Sequence, residues 1–482
     1  MSPSLANLVY ACGIAGLFYL NRDNSVRTSQ ALWLPVVYIC VVGSRPASVW
    51  LGMRPPASAG AIQLDGNPLD AAFLGVLLIA AICVLVHRGR RIFTFLNANW
   101  PILIYFFFCL LSVCWSDFPA VAFKRWIKAV GDVVMILIVV TDDQPVAALS
   151  RLFSRTSFIL LPLSLLFIKY YPSLGSGYDE WTGARFNYGV TLNKNMLGVI
   201  TFVLLLGAVW RVLALLLSDE MPPHRGRILL AQGTSLALGI YLLAIANSVT
   251  SNVCFVIGTG LILATSLRFM RRHAAAVHVL VLLLLMTSSL VMLLGGGDSA
   301  AKALGRNSNL TGRTDIWAAV IPLAPNPLVG AGFESFWLSK NVHERLAEAE
   351  PGLPLNEAHD GYIEVYLELG WVGLALIALL LIDGYRRSVK AFRRAPALGG
   401  LMIAYILTSM VYSLTEAGFR MLDPIWIFFL LAVIGASAIA AGVGVLASQP
   451  LIRSSDGVPE LPAKRNLTVN PSGRIMVEKS NG

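Results

Sequence analysis

An all-α, polytopic membrane bundle of 12–13 transmembrane helices is the fold this sequence predicts, on three observations. The composition is 56% hydrophobic and only 13% charged, with a mean hydropathy of +0.69, far from the values of soluble globular domains. Apolar runs recur along the chain at lengths near the roughly 20 residues that a spanning helix needs. Arginine-rich connections alternate with connections of another character, as they do when successive spans cross in opposite directions.

The elements follow in order. A short run at 6–20 has no basic n-region and no small-residue cleavage pattern, so it reads as a retained helix and decides between twelve spans and thirteen. Twelve longer runs lie at 31–52, 70–87, 99–114, 126–141, 157–174, 196–217, 228–247, 251–267, 277–294, 361–382, 397–414 and 423–446. Cys12, Cys40, Cys83, Cys109, Cys114 and Cys254 fall within apolar runs and show no C-x-x-C spacing. They indicate neither a metal site nor a disulfide framework and read as small core residues.

The net charge of +10 could suggest nucleic acid, but its distribution follows the positive-inside rule, and no nucleic-acid partner is expected. Arginines gather in "NRDNSVR" at 21–27, "RGRR" at 88–91, Arg151 with Arg155, "HRGR" at 224–227, "RFMRR" at 268–272 and "YRRSVKAFRR" at 385–394. Alternating spans put all of these on one side, the cytoplasmic one. The long connection 295–360 then faces outward, with five basic residues against eight acidic ones. The chain divides into nine or ten spans within 1–294, the outer loop 295–360, three spans within 361–449, and a polar tail 450–482 expected to be disordered.

In the outer loop, "GGGDSAAKALGRNSN" reads as a flexible entrance and "TDIWAAVIPLAPNPLVG" as a short helix stopped by Pro325 and Pro327. The stretch "FESFWLSKNVHERLAEAE" spaces Phe333, Phe336, Trp337 and Leu346 near helical period, a pattern suited to lying along a membrane surface as a lid.

Polar chemistry concentrates in the outer connections: "WSDFPAVAFKRW" at 115–126, "WTGARFNYGVTLNKNMLG" at 181–198, "ANSVTSN" at 246–252, "GRNSNLTGRTDIW" at 305–317, "NEAHDGY" at 356–362 and "TEAGFRMLDP" at 415–424. The combination of "LTGRTDIW", "NPLVGAGFESFW" and "HDGYIEVYLELGWVGL" resembles the signature of the O-antigen ligase/polymerase superfamily of WaaL- and Wzy-like membrane proteins. With "VGSRPASVWLG", "WSDFPAVAFKRW" and "GVTLNKNMLG", the chain is most similar to exopolysaccharide polymerases of the ExoQ type, from about 40 to 430.

The resemblance implies metal-independent glycosyl transfer, without cofactors, at the periplasmic face of the bacterial inner membrane. The donor is an undecaprenyl-diphosphate-linked saccharide and the acceptor a glycan hydroxyl. Membrane lipids, and polysaccharide export and chain-length proteins, are the further partners it suggests. Such a reaction needs a cation on the departing diphosphate, for which an arginine fork is suited. It also needs a group to take the hydroxyl proton, for which histidine is suited.

On these terms the catalytic candidates are Arg313, beside Thr311, Gly312, Thr314 and Asp315, and His359, the one histidine of six inside a matched motif. A loop arginine paired with Asp315 and a helix-capping histidine are the plain readings of the same residues. Tyr362 and Tyr366 follow His359 at i+3 and i+7 as a stripe for sugar contact, with Glu364 and Glu368 four apart on one face. Carboxylates at that depth require a cavity or a basic partner, for which Glu416 and Arg420 are at hand.

Lys194 at a helix start, Arg185 and Arg420 are candidates for a second diphosphate-holding cation. Lys194 also reads as an interfacial snorkelling residue, and Lys124 and Arg125 as interface anchors. The family often has a basic residue after a Ser-rich turn; here "NSVTSNVC" puts Ser251 or Asn252 in that place, leaving the second cation to be assigned. A ligase that transfers glycan to lipid A core or protein is the alternative within the enzyme class. A polytopic transporter is the alternative outside it, although no internal repeat with broken midplane helices is visible. A scaffold for an export assembly is the third.

Overall fold

Helix punctuation in the sequence sets where the elements begin. Asn67, Asn193 and Asp360 each turn a side-chain oxygen onto the backbone N–H groups of the first helical turn, and prolines open the helices at 68, 119, 145 and 396. The computed structural model describes residues 2–23, 26–53, 66–178, 183, 185–217, 224–293, 309–349 and 357–441. The tail at 450–482 and the entrance at 295–308, read above as disordered and flexible, lie outside these residues.

The helices are α1 Pro3–Leu20, α2 Trp33–Val42, α3 Ala47–Trp50, α4 Pro68–Arg88, α5 Arg90–Ala98, α6 Trp100–Leu111, α7 Pro119–Val140, α8 Pro145–Tyr170 and α9 Pro172–Gly175. They continue with α10 Lys194–Leu216, α11 Arg225–Ala246, α12 Val249–Ser266, α13 Arg268–Arg272, α14 Ala275–Leu293, α15 Asn309–Val320, α16 Lys340–Ala349, α17 Gly361–Arg394, α18 Pro396–Tyr412 and α19 Pro424–Ala441. One small hairpin, β1 Ser176–Tyr178 with β2 Arg185–Asn187, pairs Ser176 with Asn187 in antiparallel register.

The protein is a polytopic all-α membrane protein. Seven described helices are long and apolar enough to span: α1, α4, α8, α10, α11, α12 and α17. The run at 6–20 belongs to the first of them. Shorter apolar helices cover Gln30–Val42, Trp100–Trp115, Ala275–Thr287, Pro396–Tyr412 and Pro424–Ala440. The run expected at 126–141 belongs to α7, which also carries Lys124, Arg125, Lys128 and Asp132.

The core sits on α10, α18 and α19, whose side chains are buried on nearly every face. Phe153 of α8, Tyr405 of α18 and Phe428 of α19 stack at its centre with centroids 5.5–6.0 Å apart. At the periphery, α1 buries only Ala6 and Leu17, and α4 turns Val76, Ile79 and Val86 outward, as lipid-facing helices do. The cysteines divide: Cys109 and Cys254 are buried as expected, whereas Cys12, Cys83 and Cys114 are exposed. Being small and apolar suits a cysteine to a lipid-facing flank as well as to a core.

The two kinds of connection separate. Those expected outside meet one another, through Ser116 with Ser335, Thr250 with Thr415 and Asn195 with Glu416. Those rich in arginine meet elsewhere, through Arg88 with Thr141 and Asp142, Arg151 with Thr28, and Gln232 with Asn21.

α17 is interrupted where the site begins. Gly370 takes φ 64° and ψ −162°, a conformation that ends a helix. In an unbroken helix the N–H groups of Trp371 and Val372 would bond the carbonyls of Leu367 and Glu368. Instead Trp371 donates to the Pro327 carbonyl at 2.9 Å and Val372 to Leu328 at 3.1 Å. The freed Leu367 and Glu368 carbonyls accept from Ala331 at 3.0 Å and Gly332 at 2.8 Å. Residues 327–332 thus complete the ladder of a broken helix, giving partners to the two donors and two acceptors named.

Two glycines make the approach close enough. A Cβ on Gly370 would lie 2.3 Å from the Leu328 carbonyl, and one on Gly330, at φ 66°, would lie 2.4 Å from the Glu368 carbonyl carbon. Gly370→Ala is therefore expected to destabilise the protein by about 3 kcal/mol or more, combining positive-φ strain with a backbone collision. Gly260→Ala, whose Cβ would meet open space on α12, is the control. Thermal unfolding in detergent checks this, and a Gly370→Ala protein as stable as the control would refute it.

Candidate active site

Arg313 is placed by helix spacing. The sequence suggested a loop arginine ahead of a helix, but α15 begins at Asn309 and carries Arg313 and Trp317 one turn apart. The Trp317 indole donates to the Ala358 carbonyl at 2.9 Å. The Arg313 guanidinium donates to the Thr415 carbonyl and, at 3.1 Å, to Glu416 Oε1. The side chains of Thr311, Thr314 and Asp315 lie outside the described set.

His359 stands at the mouth of α17 with φ 52°, an uncommon backbone for a residue with a Cβ. Its neighbours hold it there. Ala358 donates its N–H to Glu364, Asp360 caps α17 by accepting from Tyr362 and Ile363 at 2.8 Å each, and Gly361 donates to the Ser413 carbonyl at 2.7 Å. The imidazole Nδ1 lies 3.0 Å from Glu357 Oε1 and 3.7 Å from Glu416 Oε2. Arg313 and His359 therefore address the two oxygens of one carboxylate, Glu416. Asn195 donates to the same Oε1 at 3.2 Å.

Arg420 joins from the α18–α19 connection, with Nη1 3.7 Å from Glu357 Oε2 and Nε 3.4 Å from Glu334 Oε2. Beside it runs a cleft lined by Tyr105, Trp337, Phe419, Glu334, Glu364 and Glu368. The Ser335 N–H donates to Glu368 Oε2 at 2.5 Å, and the Trp337 indole to Glu364 Oε2 at 2.7 Å. Glu364 and Glu368 thus bond the outer loop. The aromatic residues of that loop face inward too: Phe333, Phe336, Trp337 and Leu346 are buried, and the cluster of Phe336, Trp337 and Leu346 includes Leu367 of α17. The expected membrane-surface placement is corrected by this packing, because α17 offers the apolar face a dry partner.

The other predicted residues take separate places. Tyr362 donates to the Met410 carbonyl at 3.2 Å and sets its ring against Phe419, while Tyr366 meets Trp371. Lys194 is exposed at the start of α10, next in sequence to Asn195. Arg185 is exposed on the hairpin and donates to Ser176 Oγ at 3.0 Å and the Ile168 carbonyl at 3.3 Å, bonds that do not reach the cluster. Ser251, where a cation was expected, is buried and accepts from the Ser248 hydroxyl. Arg125, read as an interface anchor, instead donates to the Glu334 carbonyl.

Sequence reasoning missed Glu357 and Glu334 as partners of the cations. Their signals were the acid two residues before His359 and the acid inside "GFESFW".

Electrostatics bind the cluster. Hydrogen bonding to Glu357 and then Glu416 raises the His359 pKa to about 9, against a smaller opposing effect of burial. Burial works upward on Glu357, but His359, Arg420 and Arg313 bring it below the ordinary glutamate value. Burial lifts Asp360 to about 6 despite its two cap bonds. Glu357, His359 and Glu416 offer ligand atoms within 4.8 Å of one another, a set with the geometry for a cation. The same carboxylates already face Arg313 and Arg420, so an entering divalent ion would compete with two guanidiniums.

Residues 234–378 match the family model described as O-antigen ligase. This stretch of the chain is similar to O-antigen ligases. The matched stretch contains Arg313, His359 and both interlocking glycines, and ends ahead of Glu416 and Arg420. Over 318 residues the chain is also 27% identical to the exopolysaccharide production protein ExoQ of Rhizobium meliloti, a match covering 64% of this chain and 69% of that protein.

The His359 shift has a direction in stability. Its folded pKa of about 9 lies above its ordinary 6.5, so the stabilisation from its ion pairs is complete below pH 6.5 and fades as pH rises through about 9. The loss of thermal stability in His359→Gln should be largest near pH 6 and shrink toward pH 10. A gap that widened with pH would overturn the pairing.

Proposed function

We propose that the protein is a glycosyltransferase at the periplasmic face of the bacterial inner membrane, transferring saccharide from undecaprenyl diphosphate to a sugar hydroxyl. Its product on this reading is a lengthened exopolysaccharide, and chain-length and export proteins are its natural neighbours. The observation that carries the reading is the meeting, on the Glu416 carboxylate, of Arg313 and His359, both of which lie in the stretch that matches O-antigen ligases.

Nδ1 of His359 faces Glu357 and Glu416, which leaves Nε2 for the acceptor hydroxyl, as in other carboxylate-oriented histidines. The hydroxyl proton passes to Nε2 as its oxygen bonds the anomeric carbon. The bond from that carbon to the diphosphate breaks, and the electron pair leaves with the lipid diphosphate. Arg313 has five N–H donors and spends only part of them on Thr415 and Glu416, so donors remain for the departing phosphate. Arg420 supplies the second cation. The charge of the leaving group is met by guanidinium on this reading, and the step needs no metal.

His359→Ala and Arg313→Ala should each lower transfer by about a hundredfold or more, from lost proton transfer and lost charge stabilisation. Both are measured with purified, folded protein in lipid on an undecaprenyl-diphosphate-linked repeat unit, with EDTA leaving the wild-type rate unchanged. Because His359 is charged below about 9, the base role requires a rate that climbs from pH 7 to 9. Full activity of both variants would exclude the assignment, and a rate falling over that range would assign His359 a purely electrostatic part.

The description of the matched domain favours a second reading, attachment of a finished glycan to lipid A core or protein. The lipid-linked species that accumulates without the protein decides: single repeats mean polymerase, complete chains mean ligase.

A further inference from the structure

Asp132 is fully buried in α7, one of the few ionisable groups there, and lies in no motif used so far. Its Oδ1 accepts from the Tyr38 hydroxyl of α2 at 2.8 Å. Its Oδ2 accepts the backbone N–H of Leu422 at 3.2 Å. Leu422 has φ 59°, a left-handed conformation unfavourable for a leucine, and stands two residues after Arg420.

The same helix reaches Arg420 a second way. Arg125, seven residues earlier and so on the same face of α7, donates to the Glu334 carbonyl. The Glu334 carboxylate holds Arg420 Nε at 3.4 Å. One helix therefore braces the Arg420 side chain through Glu334 and its backbone turn through Asp132. These two points are separated by about 10 Å of rigid helix.

We infer that Asp132 is a positioning residue for Arg420: its carboxylate fixes the strained turn at Leu422 and thereby aims the guanidinium at the lipid-diphosphate leaving group. The inference rests on the glycosyl-transfer reading above. Asp132 touches no reacting atom and acts only through the backbone of the loop.

The experiment is a mutant cycle on the full-length protein in lipid, with transfer rates measured against the concentration of the lipid-diphosphate donor. Asp132→Leu removes both acceptors at similar volume and should weaken kcat/KM for the donor by about tenfold. Asp132→Asn keeps one oxygen for the Leu422 N–H and an amide for the Tyr38 oxygen, and should restore most of the loss. The deciding arm is Arg420→Gln, on which Asp132→Leu should add less than about twofold, because residues acting through one group are not additive. Tyr38→Phe, which leaves the Leu422 bond in place, should cause a smaller loss that also vanishes on the Arg420→Gln background.

Asp132→Leu behaving as wild type, or losses that multiply with Arg420→Gln, would overturn the inference. If Asp132→Leu fails to fold, Tyr38→Phe carries the same cycle. A wild type that neither binds nor turns over a lipid diphosphate would defeat the glycosyl-transfer reading and this inference together, whereas an active wild type with an additive cycle defeats the inference alone.

Discussion

The exchange of hydrogen bonds between the break in α17 and residues 327–332 is the constraint on which the site depends. A helix interrupted within an apolar bundle leaves two donors and two acceptors that lipid cannot satisfy. Here they are satisfied by one specific segment, and that segment is continuous with α15, which carries Arg313. Docking the outer loop and ordering the mouth of α17 are therefore one event. Glu364 and Glu368 reinforce it by accepting from Trp337 and Ser335. Each bond sets the distance between the arginine helix and the histidine turn.

Around that frame the ionic groups are arranged so that carboxylates hold cations in waiting. Glu416 takes Arg313 and His359, Glu357 takes His359 and Arg420, and Glu334 takes Arg420 and Arg125. Each of these three carboxylates is shared between two cations, so three acids face four basic groups. On the proposed reading such a network stays folded without substrate yet keeps donors for an added dianion. Isolated arginines would repel one another before any ligand arrived, and arginines in one-to-one pairs would bind it weakly.

Much of the fold was legible because a membrane bundle writes itself in composition. Apolar runs such as 196–217 became α10 almost residue for residue, since length and hydropathy alone determine a span. Arg313, His359 and Arg420, singled out in the sequence, come together in the structure, and Gly330 and Gly370 lie within its quoted motifs. Their reciprocal contact was not legible, because a pair of positive-φ positions 40 residues apart leaves no periodic signal. Asp132 was hidden for a similar reason: within an apolar run one acid could be lipid-exposed error, pathway or brace, and only the position of Leu422 tells which.

The stretch that matches O-antigen ligases holds Arg313 and His359, but Glu416, which joins them, and Arg420 come from beyond it, in the α18–α19 connection. That connection is fixed in turn by α7, from the first third of the chain. A cation pair assembled from three distant segments keeps its geometry only when all three are packed. On the proposed reading this suits a catalyst at a lipid–water boundary, where a loose arginine would bind any phospholipid phosphate it met. On that reading, spreading the site over the bundle makes the grip on diphosphate a property of the folded whole, so selectivity against membrane phosphate would rest on how Arg313 and Arg420 are held more than on either charge.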